Sequence, residues 1–466
     1  MPPILRISQL FILRSIAGIS LASAALAQQQ ALPELGATPG EPKKNYAIPA
    51  AEIVGFEFLL NRVDRQIYGE DYAVSGSTIK RNLQHGWVVD RDPYKINQFG
   101  HPYQGSVYYG FARSAGLNFW ESLGYTFAGS ALWEIAGEST LPSRNDQIAS
   151  GIAGSFLGES LFRMANLVLE KGDGGRWREL SAAAISPATG FNRTAFGERF
   201  KEVLNSRDPA YYARVQVGAS GTTQVRQGES TDVKRNELLV DYAMDYGLPG
   251  KPGYRYERPW DYFSFQLSAS SANAVENLST RGLLLGTDYQ AGERYRGIWG
   301  LYGSYDYITP QLFRVSSTAL SLGTTGELRV AERLAVQGTL LGGLGYAGVG
   351  TLHGTTNTDY HYGAAPQALA ALRVIFDDRW SLDATAREFF VSKVGGAGTG
   401  GHDNIIRADL SFTVRLRREH GVAVKYLWSR RDATFANLGD LSQVRATIGL
   451  YYVYIARERF GAVDWR

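Results

Sequence analysis

The sequence predicts a mainly β protein: an antiparallel transmembrane β-barrel of about twelve strands, preceded by an N-terminal α-helical cap or plug domain. Three observations point there. From residue 209 onward apolar and polar residues alternate with a period of two. The connections between those runs alternate long and short toward the C-terminus. The chain also opens with an export signal. Its 466 residues include 53 Gly, 27 Tyr, only 16 Pro and no Cys. That balance suits strands with interfacial aromatics and excludes disulfides and thiolate metal sites.

Arg6 and Arg14 form a positive n-region, and the apolar run from Ser15 to Ala24 is too short to span a bilayer. Ala25-Leu26-Ala27 is a small-residue cleavage pattern, so residues 1–27 read as a signal peptide and the mature chain begins at Gln28. Removing the two arginines lowers the formal charge of +3 by two, leaving no basic excess to suggest a nucleic-acid partner. Residues 28–48 are rich in Gln, Pro and Gly without a period, as expected of a flexible periplasmic leader.

Residues 49–208 form the helical domain. Ile53, Phe56, Leu59, Leu60 and Val63 line one side of a helix over Ala50–Arg65, a stripe expected to pack on its own protein rather than on a membrane surface. Asn118 followed by Glu121 marks a second helix start, running to about Gly137. Ser143-Arg-Asn-Asp146 marks a third, running to about Leu169. The latter two should form a hairpin, with Ala128, Gly129 and Ser130 facing Gly154 and Gly158. Each is long enough to cross a bilayer, but Glu134, Glu138, Glu159 and Arg163 oppose a lipid environment, so both should pack against protein.

The barrel occupies residues 209–466. Leu410, Phe412, Val414 and Leu416 alternate with Asp409, Ser411, Thr413 and Arg415, and the pattern recurs around Phe263, Val422 and Ile448. Strands are predicted to begin near residues 209, 233, 259, 278, 293, 312, 333, 363, 380, 404, 420 and 441. An even count leaves both barrel ends on the periplasmic side. A soluble β-sandwich or lipocalin-like barrel fits less well, given the length of the runs and the tyrosines at their ends. The chain ends Val463-Asp-Trp-Arg466, so either Phe460 closes the last strand or a short tail follows it. Twelve strands give a barrel roughly 25 Å across, with room for about one helix. A hairpin should therefore cap or partly enter the periplasmic mouth, and a free open pore is not expected.

Polar and aromatic residues concentrate between Asp90 and Arg163. The pattern is Asp90-x-Asp92, Asn97-x-x-x-His101-Pro-Tyr-x-Gly105, Arg113-x-x-Gly116, Phe119-Trp-Glu121-Ser122, Trp133-Glu134, Glu138, Pro142-Ser-x-Asn145-Asp146 and Gly158-Glu159. Over residues 90–163 this resembles a bacterial domain-of-unknown-function family, numbered 3943. The resemblance implies a Gram-negative envelope location and no activity.

His101 is the sharpest chemical candidate, placed before Pro102 in an expected non-helical turn. Oriented by a carboxylate such as Glu134 or Asp146, it would activate Ser106, Ser122 or Ser143 against a lipid ester. No nucleophile elbow supports that. A metal held by His101 with Glu134 and Glu138, one turn apart on one helical face, is a second possibility, but no established metal motif accompanies it and no cofactor is assigned. The favoured reading is a buried structural network of Asp90, Asp92, Asn97, His101, Arg113, Glu121, Trp133, Glu134, Glu138, Asn145, Asp146, Glu159 and Arg163. Within it Glu159 and Arg163 have i,i+4 spacing, and Arg113 would satisfy Glu134 or Asp146. His353, His361, His402 and His420 read as solvated loop or turn residues.

The function expected is a non-enzymatic role in the outer membrane, structural or in gated passage of a small solute or lipid, with the helical domain periplasmic. The alternative is a lipid-modifying outer-membrane enzyme using His101. Expected partners are outer-membrane lipids and, during biogenesis, periplasmic chaperones and the barrel-assembly machinery.

Overall fold

The computed structural model describes residues 44–90, 92–170, 175–201, 204–226, 234–351, 360–393, 401–435, 439–456 and 460–465. The expected signal peptide, most of the expected leader and His353 lie outside these residues. The chain divides into two compact units. One runs to Asp92 and resumes over Phe99–Ser206; the other joins Pro93–Gln98 to Arg207–Arg466.

In the second unit, twelve antiparallel strands among the described residues close into a barrel. They are β1 (Tyr211–Arg226), β2 (Asn236–Tyr246), β3 (Phe263–Ser270), β4 (Asn277–Ala291), β5 (Tyr295–Ile308) and β6 (Phe313–Ala331). Then follow β7 (Leu334–Thr351), β8 (Tyr360–Phe376), β9 (Trp380–Lys393), β10 (Gly401–Arg417), β11 (His420–Phe435) and β12 (Gly439–Ile455). Closure is made by β1 on β12, in register from Arg214 opposite Ile455 to Arg226 opposite Val444. Tight turns join β6 to β7, β8 to β9 and β10 to β11. At the second, Asp377 and Asp378 both take left-handed backbone, φ 53° and 49°, the twist that two-residue hairpins require.

The outer wall is apolar: Leu322, Leu340 and Leu450 are 62–64% exposed. Inward positions include fully buried charged and polar residues, among them Asp241, Asp403 and Gln443. Exposed leucine all round a wall whose inner face buries carboxylates is stable only when the outside solvent is lipid.

The lumen is packed. After β12 a short tail folds inward, which settles the C-terminal alternative in favour of a tail. Phe460 and Val463 join Tyr212, Leu248, Ala335 and Ile375 in one apolar cluster. Arg296 and Arg329 stack on the Trp465 ring, and Gln337 donates to the Gly461 carbonyl at 2.7 Å. At the long-loop end, the connection between β5 and β6 folds inward. There Arg445 Nη1 donates to the Pro310 carbonyl and Gln443 Nε2 to that of Leu312, at 3.3 and 3.2 Å. Leu312 and Phe313 pack with Val349, Phe389 and Val391 in a dry layer. Ion pairs fill the space between. Arg387 meets Asp306 at 2.8 Å, Arg431 meets Asp403 at 2.6 Å, and His361 meets Asp403 at 2.9 Å. His361 is thus an inward strand residue of β8, not a solvated loop histidine; the period-two pattern was lost on it because its neighbours Tyr360 and Tyr362 are also polar-edged.

Eight α-helices are described in the first unit. They are α1 (Ala47–Tyr68), α2 (Gly76–Gln84), α3 (His101–Ser114), α4 (Phe119–Leu132), α5 (Arg144–Ile148), α6 (Gly154–Glu170), α7 (Arg176–Ile185) and α8 (Pro187–Phe196). The expected stripe on α1 packs inward, with Ile53 buried beside Phe56 and Leu59 against Tyr108 and Phe111. Both predicted caps are present. Asn118 and Glu121 form a capping box, and the Ser143 hydroxyl accepts from the Asp146 amide.

Four helices lie outside the expectation, α2, α3, α7 and α8, and α3 is central. A Cβ on Gly154 would meet the Gly105 Cα at 2.7 Å, and one on Gly158 would meet Tyr109 Cβ at 2.8 Å. Gly129 sits equally close to Tyr108 and Ile53. The small residues expected to bring two helices of a hairpin together instead seat both on α3. His101 is accordingly the first residue of a helix, with Pro102 in its first turn, and not a member of an irregular loop.

Candidate functional site

Three π-helical turns converge on His101. One, Ile96–Gly100, leads directly into it. A second, Trp133–Gly137, extends α4 and carries Glu134. The third, Ala149–Ala153, links α5, which carries Asp146, to α6. A π turn widens the helix by a residue and re-aims the side chains around it. Trp133 folds its ring over Gly137, where a Cβ would collide with it. A backbone bridge between Val88 and Ser143 anchors the Asp90 segment beside α5.

His101, Glu134 and Asp146 are 5, 0 and 1% exposed, and one ligand-type atom from each lies within 4.8 Å of the other two. His101 Nε2 stands 3.8 Å from Asp146 Oδ2, and Nδ1 stands 3.4 Å from Ser150 Oγ. Glu134 Oε2 accepts from the Ser143 amide at 2.7 Å, while Oε1 is buried without a hydrogen-bond partner. Asp146 accepts from Asn145 Nδ2 at 3.1 Å, and Asn145 also bonds Asp90. Burial, reinforced by Glu138 and Asp146, holds the Glu134 carboxyl well above the usual carboxylate range. Burial does the same to Asp146, reinforced by Asp90. Glu138 is pushed up to about 8 by burial, against the pull of His101. It lies beyond the π turn on extended backbone, so Glu134 and Glu138 do not share a helical face as expected.

Other members of the predicted network go elsewhere. Glu159 is gripped by Arg113 Nε and Arg163 Nε, each at 2.7 Å, and also accepts from the Tyr109 hydroxyl at 2.9 Å. Arg113 therefore serves Glu159 rather than Glu134 or Asp146. Although burial opposes it, the pair of guanidiniums holds Glu159 below the usual carboxylate range. Glu121 caps α4 near the surface and meets Lys44 at 3.0 Å. Asn97 belongs to the barrel unit, where its amide donates to the Tyr360 hydroxyl at 2.9 Å. Asp92 is half-buried, close to Asp90 and His101.

Among the serines, Ser106 donates to the Tyr103 carbonyl of its own helix, and Ser143 is used as a cap. Ser150, which sequence reasoning passed over, is the one beside His101; only the position of the third π turn reveals it. The order Ser150–His101–Asp146 superficially fits a nucleophilic triad. The 3.8 Å between His101 and Asp146 exceeds a hydrogen bond, and all three side chains are buried.

Residues 86–188 match the family model described as "Domain of unknown function (DUF3943)"; the barrel strands fall outside that interval. No curated protein matches the chain. Several solved outer-membrane proteins are similar in architecture. The KdgM porin is 8% identical, with 51% of this chain and 98% of that one covered and a TM-score of 0.24. The NanC porin is 7% identical, with 51% and 98% covered and a TM-score of 0.26. The outer membrane channel DcaP of Acinetobacter baumannii is 7% identical, with 53% and 96% covered and a TM-score of 0.25. At these scores the likeness says nothing of what passes through or binds to this chain.

Proposed function

We propose that this protein is an outer-membrane barrel for gated passage of a small anionic solute, shut by its own C-terminal tail at one end and its β5–β6 loop at the other. The observation carrying this reading is a cavity of about 130 Å³ inside the barrel. Its lining has five basic side chains (Arg214, Arg281, Arg373, Arg387 and Lys425) against three acidic ones (Asp245, Asp383 and Asp409). Leu248 and Gln337 line that cavity and also hold the tail, so the tail is the wall on its short-turn side. Arg373 pairs with Asp245 and Asp383, Arg387 with Asp306, and Arg214 and Lys425 share Asp241, so the chamber is lined by ion pairs; a scaffold gains little from them, because a dry core would avoid the desolvation of charge. The helical unit is assigned to the periplasm because Arg207–Tyr211 leads into β1 at the short-turn end. There Arg207 pairs with Asp261 and Glu257 of the β2–β3 connection.

Planar-bilayer conductance tests this. The wild type should be closed or nearly so, and a chain ending at Ala456 in which residues 309–312 are also replaced by glycine and serine should conduct, with a reversal potential in a salt gradient that reports anion preference. A folded, membrane-inserted truncation that stays silent would leave a structural role instead.

A further inference from the structure

His101, Glu134 and Asp146 come from three separate elements: the start of α3, the π turn after α4, and α5. We infer that they form a binding site for a divalent transition-metal ion of the Zn²⁺ or Mn²⁺ type, clamping those three elements together. Two observations carry this beyond a cluster of acids. The first is the Glu134 Oε1 atom, fully buried in the cluster with no hydrogen-bond partner. A native interior rarely leaves such an acceptor unsatisfied. The second is the 3.8 Å separation of His101 Nε2 from Asp146 Oδ2. That is too long for a hydrogen bond, yet two ligand atoms each about 2.1 Å from one tetrahedral ion stand about 3.4 Å apart, so a shift of a few tenths of an ångström would close the pair on an ion.

Charge supports the same assignment. Among the described residues no Arg or Lys forms an ion pair with Glu134, Glu138 or Asp146, whereas Glu159, in the same unit, has two arginines. A dication supplies the missing positive charge. One imidazole with two carboxylates suits a borderline ion better than Ca²⁺ or Mg²⁺, which prefer all-oxygen shells. Ser150 at the other ring nitrogen fixes the imidazole orientation, as outer-shell partners of metal-bound histidines do. The role is structural: in a chain with no cysteine, a metal clip across residues 101, 134 and 146 does what a disulfide would do elsewhere.

The test uses the full chain refolded in detergent, stripped with chelator and then titrated with Zn²⁺, Mn²⁺, Ca²⁺ or Mg²⁺. Metal content is read by mass spectrometry, and the helical unit is followed by its 222 nm melting. Wild type should retain one Zn²⁺ or Mn²⁺ per chain and melt higher with it, with weak response to Ca²⁺ and Mg²⁺. Glu134→Gln and Asp146→Asn keep shape while removing a ligand charge, and His101→Gln removes the nitrogen. Each should weaken affinity by at least about a hundredfold and abolish the metal-dependent melting shift. Glu134→Gln should fold without metal, since it relieves like-charge crowding, so loss of binding is read on a folded chain. Folded wild type that takes up neither Zn²⁺ nor Mn²⁺, or a Glu134→Gln chain that binds as well as wild type, overturns the site. Conductance of the truncated barrel is a separate readout, so failure of either proposal leaves the other standing.

Discussion

Glu134 and Glu159 are both fully buried in the helical unit, and their surroundings are opposite. Glu159 has a guanidinium nitrogen at 2.7 Å on either side, whereas Glu134 faces another carboxylate and leaves one oxygen unbonded. Glu159→Gln should therefore destabilise the helical unit by about 3–5 kcal/mol, because it strands two buried cations. Glu134→Gln in chelator should leave stability unchanged or raise it. Denaturant melts of both variants at 222 nm check the contrast; similar losses from the two would contradict it.

The helical unit should also lose stability as pH rises. Glu57 on α1 is buried beside Tyr108, and that burial pushes its carboxyl up to about 8, against a hydrogen bond from the Tyr108 hydroxyl that pulls it down. Its folded pKa lies above the unfolded value of about 4.3. The stabilisation is thus complete below pH 4 and lost as pH climbs through 8. Thermal melts in chelator between pH 5 and 8.5 should show this fall. Glu57→Gln should flatten part of it, Glu138 retaining a share in the same window.

Helix packing makes a steric prediction. Gly154→Ala places a methyl against the Gly105 backbone, where no side chain can yield. A loss of about 2–3 kcal/mol is expected. Gly76→Ala, with open space around it, should be near neutral and serves as the control. Equal effects would mean that α3 and α6 are not packed this closely.

Lipid chemistry at His101 is expected to be absent. Phospholipid and lipopolysaccharide incubated with wild type and with His101→Ala should give identical mass spectra. New lyso-lipid or acyl-shifted species from wild type alone would establish the enzyme alternative.

Protease added to intact cells should spare the helical unit if it is periplasmic, and cut it once the outer membrane is permeabilised. Cleavage in intact cells would overturn the periplasmic assignment.

The barrel was legible because its solvent enforces a rule. Apolar residues dominate the outer face and polar ones much of the inner, so strand starts such as Trp380 and His420 fall where the period and turns put them. The caps at Asn118 and Ser143 were legible because capping is local in sequence. Helix α3 was not: Gly105, Gly110, Pro102 and several tyrosines disguise a helix buried on nearly all sides, which has no polar face to give it a period. The residues of the candidate site were visible, but their partition was not. Whether Arg113 meets Glu159 or Glu134 depends on how α3 lies on α6, and no spacing encodes that. The inward fold of the tail was equally hidden, since its partners are scattered from Tyr212 to Arg415.

That scatter imposes an order of events. Phe460, Val463 and Trp465 rest on β1, the β2–β3 connection, β5, β6, β7, β8 and β10, so their seat exists only after β1 has zipped to β12. Phe460 and Val463 are then buried only after the barrel has closed, and a barrel caught before closure cannot yet be sealed. Occlusion of the lumen thereby becomes a signature of completed assembly: only finished copies are tight, and an unfinished one would betray itself as a leak.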